Sequence, residues 1–529
     1  MGNMRNSDTE FPEFTGILPS VRWARSENFP EWSRISEAKR AIGANEADRM
    51  DVNDHASRAV RGEPDHRTSR RTEAVMLVFA GVVCTAAYAA VDIGQGRTPA
   101  WPALAFGGGF LAVLGAAHLV VRRFAPHADP LLLPCTALLN GLGVVLIHRL
   151  DLDNAPPGAS PATQLLTGNA STQLVWTAGA LVLFAGVLWR VRDHRQLARY
   201  SYTAGVLGLT LLVLPGLLPA SISEVNGAKL WIRLGPLSIQ PGEFAKILVI
   251  IFAAAFLVAK RDLFTAAGRR MLGMTFPRAR DLAPLIVAWG VSVGILTLEK
   301  ELGASLLYFG IVLVMIYVAT ERASWLFVGL VFFAGGSVIA YLVFDHVRAR
   351  VQVWNDPFAY ADTTGYQLVQ ALFGIADGGL VGTGLGRGDP GMVPFAGTDF
   401  ISSTILEELG LAGLGAVLVL YLVIAGRGLR AAITTRDGFG TLLAGGLAFG
   451  LVLQVFVVVG GVTGLIPLTG MTMPFLSYGG SSLLANYALV AVLLRISDAA
   501  RRPARPAPRM EPLDQAHTEL VRRPRFTDP

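Results

Sequence analysis

The sequence holds 529 residues, of which 52% are apolar and only 16% are charged, with a formal net charge of +6. Its mean hydropathy is +0.48, whereas soluble domains carry about 25% charged residues. These values exclude a cytosolic enzyme and a disordered or fibrous chain, because a soluble protein of this size needs more polar surface. The two cysteines, Cys84 and Cys135, lie in apolar runs, which argues against a disulfide framework or a cysteine metal site.

The two ends of the chain are polar. Residues 1–73 lack hydrophobic periodicity, and no short apolar segment follows a basic start as it does in a signal peptide. We predict a disordered, basic cytoplasmic tail over 1–73. Residues 497–529 are rich in Pro and Arg and are predicted to form a second disordered cytoplasmic tail.

Between the tails, apolar stretches follow one another, each near the ~20 residues that cross a bilayer. The sequence predicts twelve spans, at about 74–92, 101–121, 130–148, 172–189, 201–219, 242–259, 282–299, 302–320, 324–344, 402–425, 440–462 and 480–496. This pattern predicts an all-α polytopic membrane protein.

The distribution of Lys and Arg predicts the orientation of these spans. If the N-terminus is cytoplasmic, most basic residues fall in inner loops: Arg122, Arg123, Arg190, Arg192, Arg195, Arg199, Lys260, Arg261, Arg269, Arg270, Arg278, Arg280, Arg322, Arg427, Arg430 and Arg436. Basic residues are fewer in the opposite loops, which predicts that both termini are cytoplasmic. The net positive charge then reflects orientation and anionic inner-leaflet lipids, and no nucleic acid is needed to explain it.

One outer loop, at 345–401, is far longer than the others. Loops beyond ~15 residues are usually functional or disordered, and the aromatic, acidic and Gly residues of this one favour an ordered loop at the membrane. Alternate glycines over 378–386 could suggest a nucleotide loop, but no strand precedes them and no Lys-Ser/Thr follows. Close packing of this backbone against a substrate or another helix is favoured instead.

Charged side chains also occur inside the predicted spans. Glu243 and Lys246 lie three residues apart on one helical face, where each buried charge costs about 3 kcal/mol or more. They are interpreted either as a structural pair or as a cation placed for an anionic lipid head-group. Asp399, Glu407 and Glu408 mark the start of a later span, where acids can also serve as helix caps.

Several motifs occur in order along the second half of the chain. They are Asn226-Gly227-Ala228-Lys229-Leu230-Trp231, Gln240-Pro241-Gly242-Glu243 with Lys246, Glu301-Leu302-Gly303, Gly365-Tyr366-Gln367, Thr398-Asp399-Phe400 with Glu407-Glu408-Leu409-Gly410, and Pro474-Phe475-Leu476-Ser477-Tyr478-Gly479-Gly480-Ser481. In these motifs the sequence resembles the SEDS family, the FtsW, RodA and SpoVE group of bacterial cell-wall glycan polymerases. The resemblance runs over about 201–496, which is expected to form the SEDS-like membrane core. Family members typically have ten spans, so 74–200 is expected to include two added N-terminal helices.

The resemblance implies a catalytic acid in the long loop. Relatives place an Asp three residues after the loop proline and five before Gly-Tyr-Gln, where this chain has Tyr360. Asp362 lies two residues further on, and Asp356 immediately precedes Pro357. A loop of this kind can shift by two residues, so Asp362 is predicted to be the catalytic acid, with Asp356 as the second choice.

The reaction implied by the resemblance transfers a growing glycan from undecaprenyl pyrophosphate onto a sugar hydroxyl of lipid II. A carboxylate then accepts the proton of the hydroxyl, and cations stabilise the departing pyrophosphate. Inversion at the anomeric carbon follows if attack is direct. The predicted substrate-binding residues are Lys229, Trp231, Arg233, Glu243, Lys246, Arg348, Arg350, Asp399, Glu407, Glu408 and Ser477; a divalent cation, Mg²⁺ or Mn²⁺, could assist them.

The resemblance further suggests a class B penicillin-binding transpeptidase as partner and the bacterial plasma membrane as location. Two alternatives stay open. Buried charges could instead line the path of a lipid-precursor flippase or transporter, although no convincing internal repeat is present. The chain could also be a non-catalytic scaffold. The sequence does not separate roles in elongation, division and sporulation.

Overall fold

The structure is a computed structural model. It describes residues 66–98, 101–154, 168–225, 228–235, 237–261 and 300–502, together with short pieces between 269 and 295. The N-terminal unit at 1–64 lies outside these ranges, and the account below concerns the second unit, which begins at Asp65.

The described chain is mainly helical. In order, the helices are α1 (His66–Gly94), α2 (Trp101–Phe124), α3 (Leu132–Asp153), α4 (Asn169–Arg190), α5 (Arg195–Arg199), α6 (Ser201–Leu217), α7 (Ala220–Ser223), α8 (Pro241–Ala259), α9 (Leu302–Thr320), α10 (Ser324–Val343), α11 (Asp345–Asn355), α12 (Tyr366–Gly378), α13 (Ile401–Thr434), α14 (Gly438–Val462) and α15 (Gly480–Arg501). Six short strands pair antiparallel in sequence order: β1 (Glu224–Val225) with β2 (Ala228–Lys229), β3 (Ile232–Leu234) with β4 (Leu237–Ile239), and β5 (Arg269–Met271) with β6 (Met274–Phe276).

Within the described residues, ten helices are long and apolar enough to cross a bilayer, and α6 is a shorter apolar helix. A helix satisfies every backbone hydrogen bond within its own segment, which lipid requires. The prediction of an all-α polytopic membrane protein is therefore confirmed. Eleven of the twelve predicted spans coincide with helices, while most of 282–299 lies outside the described residues. The count of twelve and the orientation stay predictions.

The tail boundaries differ from those predicted. Helix α1 begins at His66, inside the expected tail 1–73, because Glu73 is buried and accepts hydrogen bonds from Arg70 and, at 2.7 Å, from His118. Helix α15 runs beyond 496 to Arg501. The acids and bases of 1–73 nearly balance, so the description of that tail as basic is wrong.

Helices α3, α14 and α15 lie at the centre of the bundle, and α10 lies at its edge with most of its surface exposed. We call the end of the bundle that carries residues 345–401 the loop end. At this end α1, α3, α6, α10 and α14 finish, whereas α4, α8, α9, α13 and α15 begin. The connections at the loop end position the candidate site.

Helix α13 is interrupted near the loop end. Gly410 has φ 68° and ψ −171°, which breaks the helical geometry. The stretch 378–388, which we call the glycine segment, pairs with the interrupted backbone: Thr383 N donates to Glu407 O at 2.9 Å and Leu411 N to Gly379 O at 3.0 Å. A Cβ at Gly410 would lie 2.4 Å from Gly382 N, so only glycine fits. The expected close packing of this backbone against a helix is confirmed.

Candidate active site at the loop end

A tight turn joins α11 to α12 and carries both predicted catalytic acids. Asp356 Oδ1 accepts a hydrogen bond from Ala359 N at 3.1 Å, which caps a short 3₁₀ helix. Gly365 N donates to Tyr360 O at 2.9 Å and closes the turn. A Cβ at Gly365 would lie 2.7 Å from the carbonyl oxygen of Pro357, so the turn needs glycine here. The backbone on both sides of Asp362 is therefore fixed locally.

The two acids of this turn have different surroundings. Both side chains are exposed, but the Asp356 carboxylate serves as a cap. The Asp362 carboxylate has neither a hydrogen bond nor an ion pair among the residues that the structure describes. Tyr360, at the position where relatives carry an acid, is partly buried against the core. Of the two, Asp362 presents the uncommitted carboxylate.

Arg350 lies on α11, near the start of the long loop, and Asp399 lies near its end, two residues before α13. Arg350 Nη1 donates to the carbonyl oxygens of Leu468 at 3.2 Å and Thr469 at 3.0 Å. Burial lowers the pKa of Arg350, against the opposing effect of Asp399 and Glu301. Burial likewise raises the pKa of Asp399, although Thr398 Oγ1 donates to its carboxylate at 2.9 Å and Arg350 acts in the opposite direction. Arg350 and Asp399 each affect the pKa of the other, although the two side chains do not form an ion pair.

The remaining predicted cations lie nearer to solvent. Arg348 is partly buried, with its side chain 41% exposed; its Nη2 donates to Leu342 O at 3.0 Å, and its Nη1 lies 3.4 Å from Asp345 Oδ1. Arg233 is exposed and donates to Ser221 O at 3.0 Å. Lys229 and Trp231 are half-buried on and beside β2. Within the described chain, none of these cations is ion-paired with Asp362.

Lys246 and Glu243 are buried inside the bundle. Lys246 Nζ lies 3.0 Å from Glu243 Oε2 and donates to Gln454 Oε1 at 2.7 Å. Gln454 Nε2 in turn donates to Thr472 O at 3.0 Å. Lys246 is 4% exposed and Glu243 is 7% exposed. These contacts join α8 to α14 and favour the interpretation as a structural pair, because buried charges need such partners.

Glu407 and Glu408 are also committed to contacts within the protein. Arg149 of α3 donates through Nε to Glu408 Oε1 at 2.8 Å and through Nη2 to Gly388 O at 2.6 Å. Glu408 Oε2 accepts from Gly386 N at 3.1 Å, and Glu407 Oε1 accepts from Asp389 N. We call Arg149, Glu407, Glu408 and their backbone partners at 386–389 the loop clasp. It binds the glycine segment to α3 and α13.

The role of Arg149 is not predicted from the sequence. Arg149 directly follows the predicted span 130–148, so it is assigned to an outer loop. The available signal was that Arg149 ends an apolar span and is followed by Asp153 at helical spacing, with which it does pair. Its partner Glu408 is 259 residues away in the chain. Local spacing cannot reveal such a contact.

Ser477 fixes the turn before α15. Its hydroxyl accepts from Met473 N at 2.8 Å and donates to Thr398 O, while Tyr478 N donates to Gly397 O at 2.7 Å. Beside this turn is a cavity of about 320 Å³. Its polar lining includes Asp151, Asn154, Thr398 and Tyr478. Burial raises the pKa of Tyr478, as does the nearby carboxylate of Asp151.

Among the described residues, no group of three or more His, Cys, Asp and Glu side chains is placed to hold a metal ion. Within the described chain, Asp362 and Asp399 belong to no such group. Mg²⁺ is commonly held by one or two carboxylates together with substrate phosphates and water, so Asp362 or Asp399 would hold a divalent cation only together with the substrate pyrophosphate.

Comparisons with known proteins agree with this architecture. The family model FTSW_RODA_SPOVE, described as "Cell cycle protein", matches residues 130–502. The chain is 55% identical over 461 residues to peptidoglycan glycosyltransferase RodA of Mycobacterium tuberculosis, covering 87% of this chain and 97% of the relative. It is 30% identical over 394 residues to the probable peptidoglycan glycosyltransferase FtsW of Bacillus subtilis, covering 72% and 92%.

A solved structure concerning polymerization and crosslinking by a peptidoglycan synthase complex is similar with a TM-score of 0.48 and 26% identity, covering 74% of this chain and 96% of that chain. The family model covers more than two thirds of the chain, and the sequence motifs over 226–481 and the loop-end turn lie within it. This chain is a multi-pass membrane protein that belongs to the FtsW/RodA/SpoVE family.

Proposed function

We propose that this chain is a peptidoglycan glycosyltransferase that polymerises lipid II at the loop end, with Asp362 as general base. The observation that carries the assignment of the base is the Asp362 carboxylate, which is exposed, unpaired within the described chain and held on a turn closed by Gly365. The similarity to RodA of Mycobacterium tuberculosis supports the reaction class. The loop end then faces outward, and both termini are cytoplasmic.

In the proposed reaction, the acceptor sugar hydroxyl of lipid II approaches the anomeric carbon of the growing glycan. Asp362 accepts the hydroxyl proton while the new C–O bond forms. The bond from the anomeric carbon to pyrophosphate breaks, and the undecaprenyl pyrophosphate leaves with the electron pair. Direct attack from the face opposite the leaving group inverts the anomeric configuration, and no glycosyl-enzyme is needed.

The pyrophosphate needs positive charge that can reach it. Lys229, Arg233 and Arg348 are exposed or half-buried and carry no buried counter-charge, so we assign them to the leaving group. Arg350 contributes a fixed charge at the base of the loop. Trp231 is proposed to pack against the lipid-linked substrate.

The other predicted binding residues are assigned a supporting role in this proposal. Lys246 with Glu243 joins two helices, Glu407 and Glu408 hold the glycine segment, and Ser477 fixes the turn at Thr398. Asp399 lies beside the substrate-facing loop, and the charge of Arg350 opposes the effect of burial on its pKa.

The proposal includes two components outside the chain. A class B penicillin-binding transpeptidase is the expected partner, with its single membrane helix packed against this bundle. Because no group of three or more His, Cys, Asp and Glu side chains is placed to hold a metal ion in the part of the chain that the structure describes, we route no step through Mg²⁺ or Mn²⁺. If the substrate pyrophosphate itself recruits a cation, EDTA lowers the rate of glycan synthesis and added Mg²⁺ or Mn²⁺ restores it; a rate unaffected by EDTA removes the metal from the proposal.

The test is glycan synthesis from fluorescent lipid II by the purified protein, alone and with a partner transpeptidase. Asp362→Asn is expected to lower the rate by about 10²- to 10⁴-fold, while Asp356→Asn, which is isosteric and on the same turn, stays near the wild-type rate. Full activity of Asp362→Asn would remove the assignment of the base. Translocation of lipid II across liposomes without polymerisation by the wild type would favour a flippase.

A further inference from the structure

Helix α1 precedes the region 130–502 that the family model matches, yet its last turn packs into the loop end. The contact is between Gly94, the last residue of α1, with Gln95 directly after it, and the middle of the glycine segment. Membership of the family therefore does not account for this contact. The two backbones approach so closely that an effect of this contact on the reaction can be tested.

The two backbones touch through glycines on both sides. A Cβ on Gly94 would lie 2.3 Å from the carbonyl oxygen of Leu385. A Cβ on Gly386, which has φ 77°, would lie 2.5 Å from the carbonyl oxygen of Val91. Neither position has room for a side chain, and backbone atoms cannot yield as a flexible side chain can. The approach therefore depends on glycine at both sites.

Hydrogen bonds hold Gly386 from opposite directions. Gln95, directly after α1, donates through Nε2 to the carbonyl oxygen of Gly386 at 2.7 Å, and the N–H of Gly386 donates to Glu408 Oε2 of α13 at 3.1 Å. The same turn of α1 is bound to α3, because Asp92 lies 3.1 Å from His148, the residue before Arg149. Gly386 is thus fixed between α1 and the loop clasp.

Helix α12 connects the glycine segment to the turn that carries Asp362. This helix begins four residues after Asp362 and ends at Gly378, where the glycine segment starts. A Cβ at Gly378 would lie 2.0 Å from the carbonyl oxygen of Leu406, so the end of α12 is pressed against α13. Its first turn is also held, since Gln367 Nε2 donates to Pro394 O at 2.7 Å.

We propose that the end of α1 is a positioning element for the reaction: Gly94 and Gln95 hold Gly386, and through α12 they set where the Asp362 carboxylate meets the substrate. Gly94 and Gln95 touch no substrate and act only through the glycine segment. The inference rests on the proposed glycosyltransferase function and adds a role for a helix that lies ahead of the matched family region.

The experiment compares Gly94→Ala and Gln95→Glu with a matched control, Gly109→Ala, in α2. Gly109 is a helical glycine with no atom within 4 Å of an added Cβ. Rates of glycan synthesis from lipid II are expressed per folded molecule, with the folded fraction taken from size-exclusion chromatography and Tm. A misplacement near 1 Å can cost about 100-fold in rate.

We expect Gly94→Ala to lower kcat about 10- to 100-fold and Gln95→Glu about two- to tenfold, with KM for lipid II within about twofold because the binding residues are untouched. Gln95→Lys, which restores an N–H donor toward Gly386 O, should recover most of the rate. Gly109→Ala should match the wild type.

The proposal is overturned if kcat per folded molecule is unchanged in Gly94→Ala, if Gln95→Lys is as slow as Gln95→Glu, or if only KM rises. A wild type that makes no glycan from lipid II contradicts the proposed function instead, so the two failures are distinguishable.

Discussion

Two groups of acidic side chains at the loop end lie in opposite environments. Glu407 and Glu408 are 5% and 0% exposed, and their carboxylates accept hydrogen bonds from Arg149 and from backbone N–H groups of 386–389. Asp362 is exposed and has no such partner in the described chain. A buried carboxylate is tolerated only when it is paired and hydrogen-bonded, and those bonds commit it to structure. Of these acids, Asp362 alone is free of such bonds in the described chain, which is why we propose it as the base.

The contrast between these two groups of acids requires that the loop clasp stabilises the fold. Arg149→Met leaves the Glu408 carboxylate buried without its counter-charge, and we expect a loss of about 3–5 kcal/mol in the free energy of unfolding. Thermal unfolding in detergent measures it. Arg149→Met combined with Glu408→Met is the control, since it removes both charges and should recover part of the loss. A single variant as stable as the wild type would contradict the role of the loop clasp.

The second prediction concerns Asp399, whose pKa is raised by burial. An unfolded Asp titrates near about 3.9, so between that pH and the raised folded pKa the native state binds more protons than the unfolded state. Stability then falls as pH rises through this window. In Asp399→Asn, the free energy of unfolding should fall less as the pH rises through this window. Above the window, the variant should be more stable than the wild type. Parallel stability curves for the two proteins between pH 4 and 8 would contradict this.

Some elements of the fold follow from the sequence alone, and others do not. The apolar run 302–320 coincides with α9, because lipid allows little besides a helix over that length. The run 402–425 reads as one helix, but Gly410 interrupts α13, since pairing with the glycine segment replaces the lost helical bonds. Glu407 and Glu408 were expected at the substrate. The bond from Arg149 to Glu408, and the bonds from the backbone at 386–389 to both acids, depend on contacts between separate parts of the chain, which local patterns do not contain.

The smallest expected effect is at Asp356. Asp356→Ala removes the hydrogen bond from Ala359 N that caps the 3₁₀ helix of the turn, and caps are worth about 0.5–2 kcal/mol. Because the site is exposed, we expect the lower end of that range, with the rate of glycan synthesis within about threefold of the wild type. Stability and rate measured on the same preparation test it. A loss of rate as large as that of Asp362→Asn would mean that the base was assigned to the wrong acid.

The most direct test of the central claim is a crossed comparison of Asp362→Asn and Glu408→Gln, each measured for glycan synthesis per folded molecule and for Tm. Both changes keep the shape of the side chain and remove a charge. We predict that Asp362→Asn loses about 10²- to 10⁴-fold in rate with an unchanged Tm, whereas Glu408→Gln lowers Tm and loses no more than about tenfold in rate per folded molecule, because it acts only through the glycine segment. The reverse pattern, with full activity of Asp362→Asn and a stable but inactive Glu408→Gln, would contradict the account.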